Sequence, residues 1–158
     1  MKLYHASYKQ FSPGQIITAN QNTGFYKDAV KKLDASRPIN ENSRLVCVFA
    51  TDSIAAATTY LEMQDRSRVE EIKVYEVEMQ ECTKAPFCLT HQIEKRLNLG
   101  QAAQNLIDEY WSPKQDWFFW EYFGPSFKVI KEVAKANESD QLIFKVKYEK
   151  DIEMTKNI

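Results

Sequence analysis

The chain has 158 residues, a formal net charge of −1, 44% hydrophobic and 13% aromatic residues, and only four glycines and five prolines. Such a composition excludes a disordered tail, and the near-neutral charge excludes a generic nucleic-acid coat, which is strongly basic. At this length one core buries roughly 68–70% of the unfolded surface, so a single domain over residues 1–158 is expected.

The first predicted element is a strand at 2–6 within "KLYHAS", with His5 in its middle; His91 is the other histidine of the chain. "SPGQ" at 12–15 is turn chemistry: Pro13 fixes φ and Gly14 is free to take a positive one. "GFYKDAVKKLDAS", 24–36, spaces Phe25, Ala29, Val30 and Leu33 at helical intervals and is stopped by Pro38. "RLVCVFAT", 44–51, reads as a buried strand, followed by an alanine-rich helix over 52–64 capped by Asp52 or Ser53. "EIKVYEVEM", 71–79, is a further strand, and two helical pieces, 90–100 and 101–111, meet at Gly100. "WFFWEYF", "SFKVIKEV" and "QLIFKVKYE" predict three closing strands, the last two joined by "KANESD". The order implies an α+β fold rather than a regular βαβ array.

Runs such as "VCVFA" and "WFFW" fall far short of the ~20 apolar residues that span a bilayer, so no membrane span is expected. Polar residues from Tyr8 to Gln15 interrupt any signal-peptide core, which points to the cytoplasm. Cys47, Cys82 and Cys88 are read as free thiols; Cys82 and Cys88 with His91 lack the spacing of a zinc site, and no metal is expected.

Three stretches carry possible chemistry: "LYHAS", "FATDSIAAATTY" and "WEYFGPSFKVI". Two aromatic rings, Phe49 and Tyr60, can sandwich a flat heterocycle, more strongly if it is cationic. An imidazole, His5, can hydrogen-bond a sugar hydroxyl. A carboxylate, Glu121, can stabilise positive charge growing at an anomeric carbon. Each also has a plain reading: His5 as a satisfied strand histidine, Phe49 and Tyr60 as core aromatics, and Glu121 on the wet face of an alternating strand with Trp117 and Phe119. If Glu121 instead lies among the aromatics of its own stretch, it must be partnered.

"YHAS" resembles the Tyr-His-Gly-Thr motif that opens the ADP-ribosyltransferase fold in its diphtheria-toxin, poly(ADP-ribose) polymerase and rifamycin ADP-ribosyltransferase branches. "FATDSIAAATTY" resembles the diphtheria-type segment whose two tyrosines clamp nicotinamide, and "EYFGPSFKVI" is similar to the catalytic-glutamate strand with its following Pro-x-x-Phe-x-Val. The matches cover about thirty residues and fall in the family's order. The resemblance implies a split β-sheet core with flanking helices and NAD as substrate, with no metal. His5 would bond the ribose hydroxyls, Phe49 and Tyr60 would stack on nicotinamide, and Glu121 would promote its departure. The family's Gly-Thr is Ala6 and Ser7 here, keeping small and hydroxyl character in the NAD-binding set, with backbone groups around Ala6 on the carboxamide.

The chain also departs from the family. Phe49 lacks the hydroxyl of the first clamp tyrosine, and Phe119 stands where the arginine-modifying branch has Gln or Glu. The expected activity is mono-ADP-ribosyl transfer to an unidentified acceptor: a protein, a nucleic acid or a small molecule. The alternatives are a non-catalytic interaction module on the same fold and an RNA 2′-phosphotransferase-like relative.

Overall fold

The computed structural model describes residues 1–21 and 26–158; Gly24 and Phe25, the first residues of one expected helix, lie outside them. Among the described residues, eight strands and five helices follow in the order β1 Leu3–Ser7, β2 Ile16–Thr18, β3 Asn20–Gln21, α1 Lys27–Ala35, β4 Val46–Thr51, α2 Ile54–Gln64, β5 Lys73–Glu78, β6 Thr83–Pro86, α3 Leu89–Asn98, α4 Gln104–Trp111, β7 Trp120–Gly124, β8 Ser126–Val133 and α5 Glu138–Thr155. A 3-10 segment, Arg66–Glu71, leads into β5. The fold is mixed α and β around one antiparallel sheet of seven strands in the order β2-β8-β5-β1-β4-β7-β6, with β3 pairing on β4.

The sheet cannot be flat. β7 and β8 are separated in sequence by Pro125 alone but lie four strand steps apart in the sheet. In a flat sheet that is about 19 Å, whereas the chain from Gly124 to Ser126 spans at most about 7 Å. The two halves, β2-β8-β5-β1 and β4-β7-β6, therefore fold towards each other. Leu3, Tyr75, Phe127 and Val129 of one half pack in a single cluster with Val48, Ala50 and Tyr122 of the other. At the centre, β1 meets β4 through one registered pair, Tyr4 with Thr51, whereas β1 and β5 share five, Leu3–Val77 through Ser7–Lys73.

Outside one half, α2 packs closely because its inner face is small: Ala57 reaches Val74 and Tyr4. It starts where Ser53 Oγ accepts the Ala56 N–H, satisfying one of the end's orphan donors. Outside the other half, α1, α3 and α4 cover Cys47, Ala85 and Phe123 with Leu33, Leu89, Ile93, Leu106 and Tyr110. Beyond Asn98 and the cap residue Leu99, Gly100 takes a φ of +69°, the left-handed conformation that closes α3.

The last expected strand is a correction. Residues 141–149 belong to α5, whose Asn137 side chain accepts the Asp140 N–H, with Glu138 and Asp140 acidic in the first turn. Lys145-Val146-Lys147-Tyr148 alternates like a strand, but the side chains the fold uses, Phe144, Tyr148, Asp151 and Thr155, recur at helical spacing. A helix also satisfies its backbone internally, with no sheet edge to join. The strand expected at 117–123 begins only at Trp120, and β2 and β6 went unforeseen because they are short.

Candidate active site

Where the sheet halves part, a cleft of about 180 Å³ is walled by β1, β4, α2, β7, α3 and α5. His5, Ala6, Phe49, Tyr60 and Glu121 all line it. Ser7 does not: its Oγ accepts the Lys9 N–H in the turn after β1.

His5 sits where the β1–β4 ladder stops. Continuing the register past Tyr4–Thr51 would set backbone against backbone, but the imidazole bridges instead: Nδ1 donates to the Phe49 carbonyl at 2.6 Å. A carbonyl only accepts, so Nδ1 carries the hydrogen. The ring rests on Phe127, centroids 4.8 Å apart. Burial lowers the imidazole's pKa and the Phe49 bond offsets part of that, so the ring is neutral near pH 7 with Nε2 as an acceptor. His5 thus holds the two sheet halves together and presents a lone pair at their junction.

Phe49 and Tyr60 arrive from β4 and α2, and their rings do not pair with each other. Phe49 tilts against Phe123 at 5.8 Å, while Tyr60 stands edge-on to Phe87 at 6.0 Å. Burial raises the Tyr60 hydroxyl's pKa, so it is un-ionised. Tyr26 and Tyr148 add further aromatic wall. Tyr26, which precedes α1, is the one non-glycine with positive φ (63°) among the described residues, a conformation costly for an aromatic side chain.

Glu121, in β7, pairs with Thr51 on one side and Ala85 on the other and is only 7% exposed. The wet-face reading therefore fails and the carboxylate is partnered. Its Oε1 accepts from Tyr110 Oη at 2.8 Å and from Arg44 Nη1 at 2.5 Å. The approach to β7 is pinned by two other buried carboxylates. Glu109 Oε2 accepts from the Lys114 and Gln115 amides and from Trp117 Nε1, and Asp151 accepts the amides of Phe118 and Phe119. Thr90, 2% exposed, lines the cleft with a hydroxyl that makes no hydrogen bond among the described residues. A buried hydroxyl of that kind suits a polar atom of a ligand.

No family model matches the chain, and no curated protein matches it. The site's chemistry must therefore speak for itself. The cleft offers stacking surfaces, an imidazole acceptor and one fixed carboxylate, a set suited to a planar heterocycle joined to a sugar. Among the described residues no three His, Cys, Asp or Glu gather to hold a metal ion, and no helix is long and apolar enough to cross a membrane. Sequence reasoning missed Arg44, Tyr110 and Tyr26. The one signal was Glu121 itself, since a carboxylate among aromatics needs a cation, and Arg44 stands at the foot of the neighbouring apolar strand.

Proposed function

We propose that the protein is a mono-ADP-ribosyltransferase of ADP-ribosyltransferase-like fold, which uses NAD and releases nicotinamide. The observation that carries this reading is convergence: His5, Phe49, Tyr60 and Glu121, from four separate segments, line one cleft. The sheet, parted at its centre with helices on both outer faces, is in keeping with the split sheet of that family.

In this reading Phe49 and Tyr60 bind the nicotinamide ring, whose positive charge favours aromatic faces. His5 Nε2 accepts a ribose hydroxyl. Glu121 stabilises the positive charge that grows at the anomeric carbon, in a cleft whose low dielectric strengthens the interaction. The bond between the anomeric carbon and the nicotinamide nitrogen breaks with its electron pair going to that nitrogen. A bond to the acceptor's nucleophilic atom forms in its place, and the acceptor's proton passes to solvent. The acceptor is a protein, a nucleic acid or a small molecule.

A non-catalytic module is the second reading, and one observation favours it: Glu121 Oε1 already has two protein donors, as a structural carboxylate would. Nicotinamide release from NAD, measured beside Glu121→Gln and His5→Ala variants of intact fold, separates the two. Transfer predicts release by the wild type and its loss in Glu121→Gln by about a hundredfold or more. If NAD is not turned over and also does not raise the melting temperature, the transferase reading is overturned and the module remains.

A further inference from the structure

We propose that Arg44, with Tyr110, is the positioning residue of this site: the pair anchors Glu121 by Oε1, keeps it charged, and leaves Oε2 to meet the sugar. The assignment rests on the transferase reading above.

The three side chains come from distant places: Arg44 ahead of β4, Tyr110 at the end of α4, and Glu121 in β7. Arg44 Nη1 lies 2.5 Å from Glu121 Oε1 and 3.0 Å from Tyr110 Oη, and the Tyr110 hydroxyl donates to the same Oε1 at 2.8 Å. One carboxylate oxygen therefore takes both donors, while Oε2 takes none among the described residues and Glu121 lines the cleft. Aromatic rings enclose the guanidinium, its carbon 4.5 Å from the Phe49 centroid and 5.6 Å from that of Phe123. At 8% exposure it is shielded from water.

Stability alone is a poor reason for this arrangement. Removing two charges from water costs about as much as their attraction returns, and apolar residues of similar volume usually serve a core as well or better. A fixed carboxylate is what the pair provides that apolar residues cannot. Carboxylates that stabilise a growing positive charge must be ionised and aimed, and burial opposes the first requirement. Arg44 supplies the counter-charge permanently: burial works against its own charge, but Glu121 and Tyr110 outweigh that and raise its pKa further.

Among the described residues that line the cleft, no other group carries a charge that could take over. Tyr26, Tyr60, Tyr110, Tyr148 and Cys88 sense its charge, and burial raises the pKa of each, so all five are neutral near pH 7. The cleft's imidazoles, His5 and His91, have lowered pKa values through burial and are neutral as well. α4, which could have been mere packing beneath the sheet, thereby supplies Tyr110 to the site.

The test titrates the Glu121 carboxyl by carbon-13 NMR, its signal assigned by loss in Glu121→Gln, in the wild type, Arg44→Met, Arg44→Lys and Tyr110→Phe. Nicotinamide release from NAD is followed against pH in the same proteins. Arg44→Met should raise the Glu121 midpoint by about one pH unit or more, move the acid limb of the rate profile up with it, and slow release about tenfold or more at neutral pH. Arg44→Lys should restore the midpoint but only part of the rate, since an ammonium keeps the charge without the planar fork. Tyr110→Phe should lower kcat with little change in KM. If Arg44→Met does not fold, the lysine and phenylalanine variants decide: rates equal to wild type in both overturn the proposal. An unchanged midpoint in a folded Arg44→Met overturns it too. A wild type that neither releases nicotinamide nor gains melting temperature with NAD sinks the transferase reading instead, and the carboxyl titration then still decides the coupling of Arg44 to Glu121.

Discussion

Gly124→Ala perturbs the strand that carries Glu121 without touching the cleft. Gly124 closes β7 opposite Val48, and a methyl group there would stand 2.2 Å from the Glu81 carbonyl oxygen and 3.2 Å from its carbon. Ordinary contact begins about 1 Å further out, and the obstacle is backbone, so β7 or the turn before β6 must move. Overpacking of this kind costs about 1–3 kcal/mol, and alanine's lower unfolded-state entropy returns about 0.5–1 kcal/mol of it. A net loss of about 0.5–2 kcal/mol should lower Tm by about 1–8 °C for a chain of this size, and the urea midpoint by about 0.3–1 M. Since β7 holds Glu121 three residues away, the variant should also slow nicotinamide release more than its stability loss explains. A Tm equal to or above that of the wild type would refute the reasoning, because the close approach at Glu81 would then be readily relieved.

Three more outcomes are expected. The unfolded chain protonates an imidazole at about pH 6.5 but folded His5 does so only at lower pH, so its contribution is full above that value and is lost as the pH falls from there towards the folded pKa. His91 shares this direction, so His5→Gln should flatten without abolishing the fall of the urea midpoint between about pH 7 and 5; an unaltered slope would remove His5 from that role. Asp151→Ala orphans the Phe118 and Phe119 amides and should cost about 2–4 kcal/mol, with faster hydrogen exchange at those two positions; protection equal to wild type would contradict it. Phe49→Ala and Tyr60→Ala should each weaken NAD-induced stabilisation to about a tenth of its apparent affinity, and Tyr60→Phe should keep it; equal effects of Tyr60→Ala and Tyr60→Phe would assign the hydroxyl rather than the ring.

Much of the scaffold was legible because its signals are local. "LYHAS", "VCVFA" and "SFKVIKEV" carry apolar or alternating patterns that are also β1, β4 and β8 in space, and Ser53 caps α2 where its hydroxyl precedes an alanine run. The failure at α5 has the same origin read the wrong way: the short alternation at 145–148 outweighed the Asn137 cap and the 144, 148, 151, 155 spacing. β6 ends in Pro86 and holds four residues, too few for any period to register. In the cleft, the residues marked by motif were the ones brought together, except Ser7, which faces its own turn.

By itself, then, the sequence determined the element types over most of the chain and put His5, Phe49, Tyr60 and Glu121 forward as a set. Periods, caps and turns act over a few residues, and a patterned segment bears them wherever it packs. Only the tertiary structure decided that β1 and β4 meet at a single residue pair, that His5 spans the parting, and that Arg44 and Tyr110 close on Glu121. Those contacts join residues up to 77 positions apart. They follow from strand order and from the need of a buried carboxylate for a counter-charge, which no local pattern can specify.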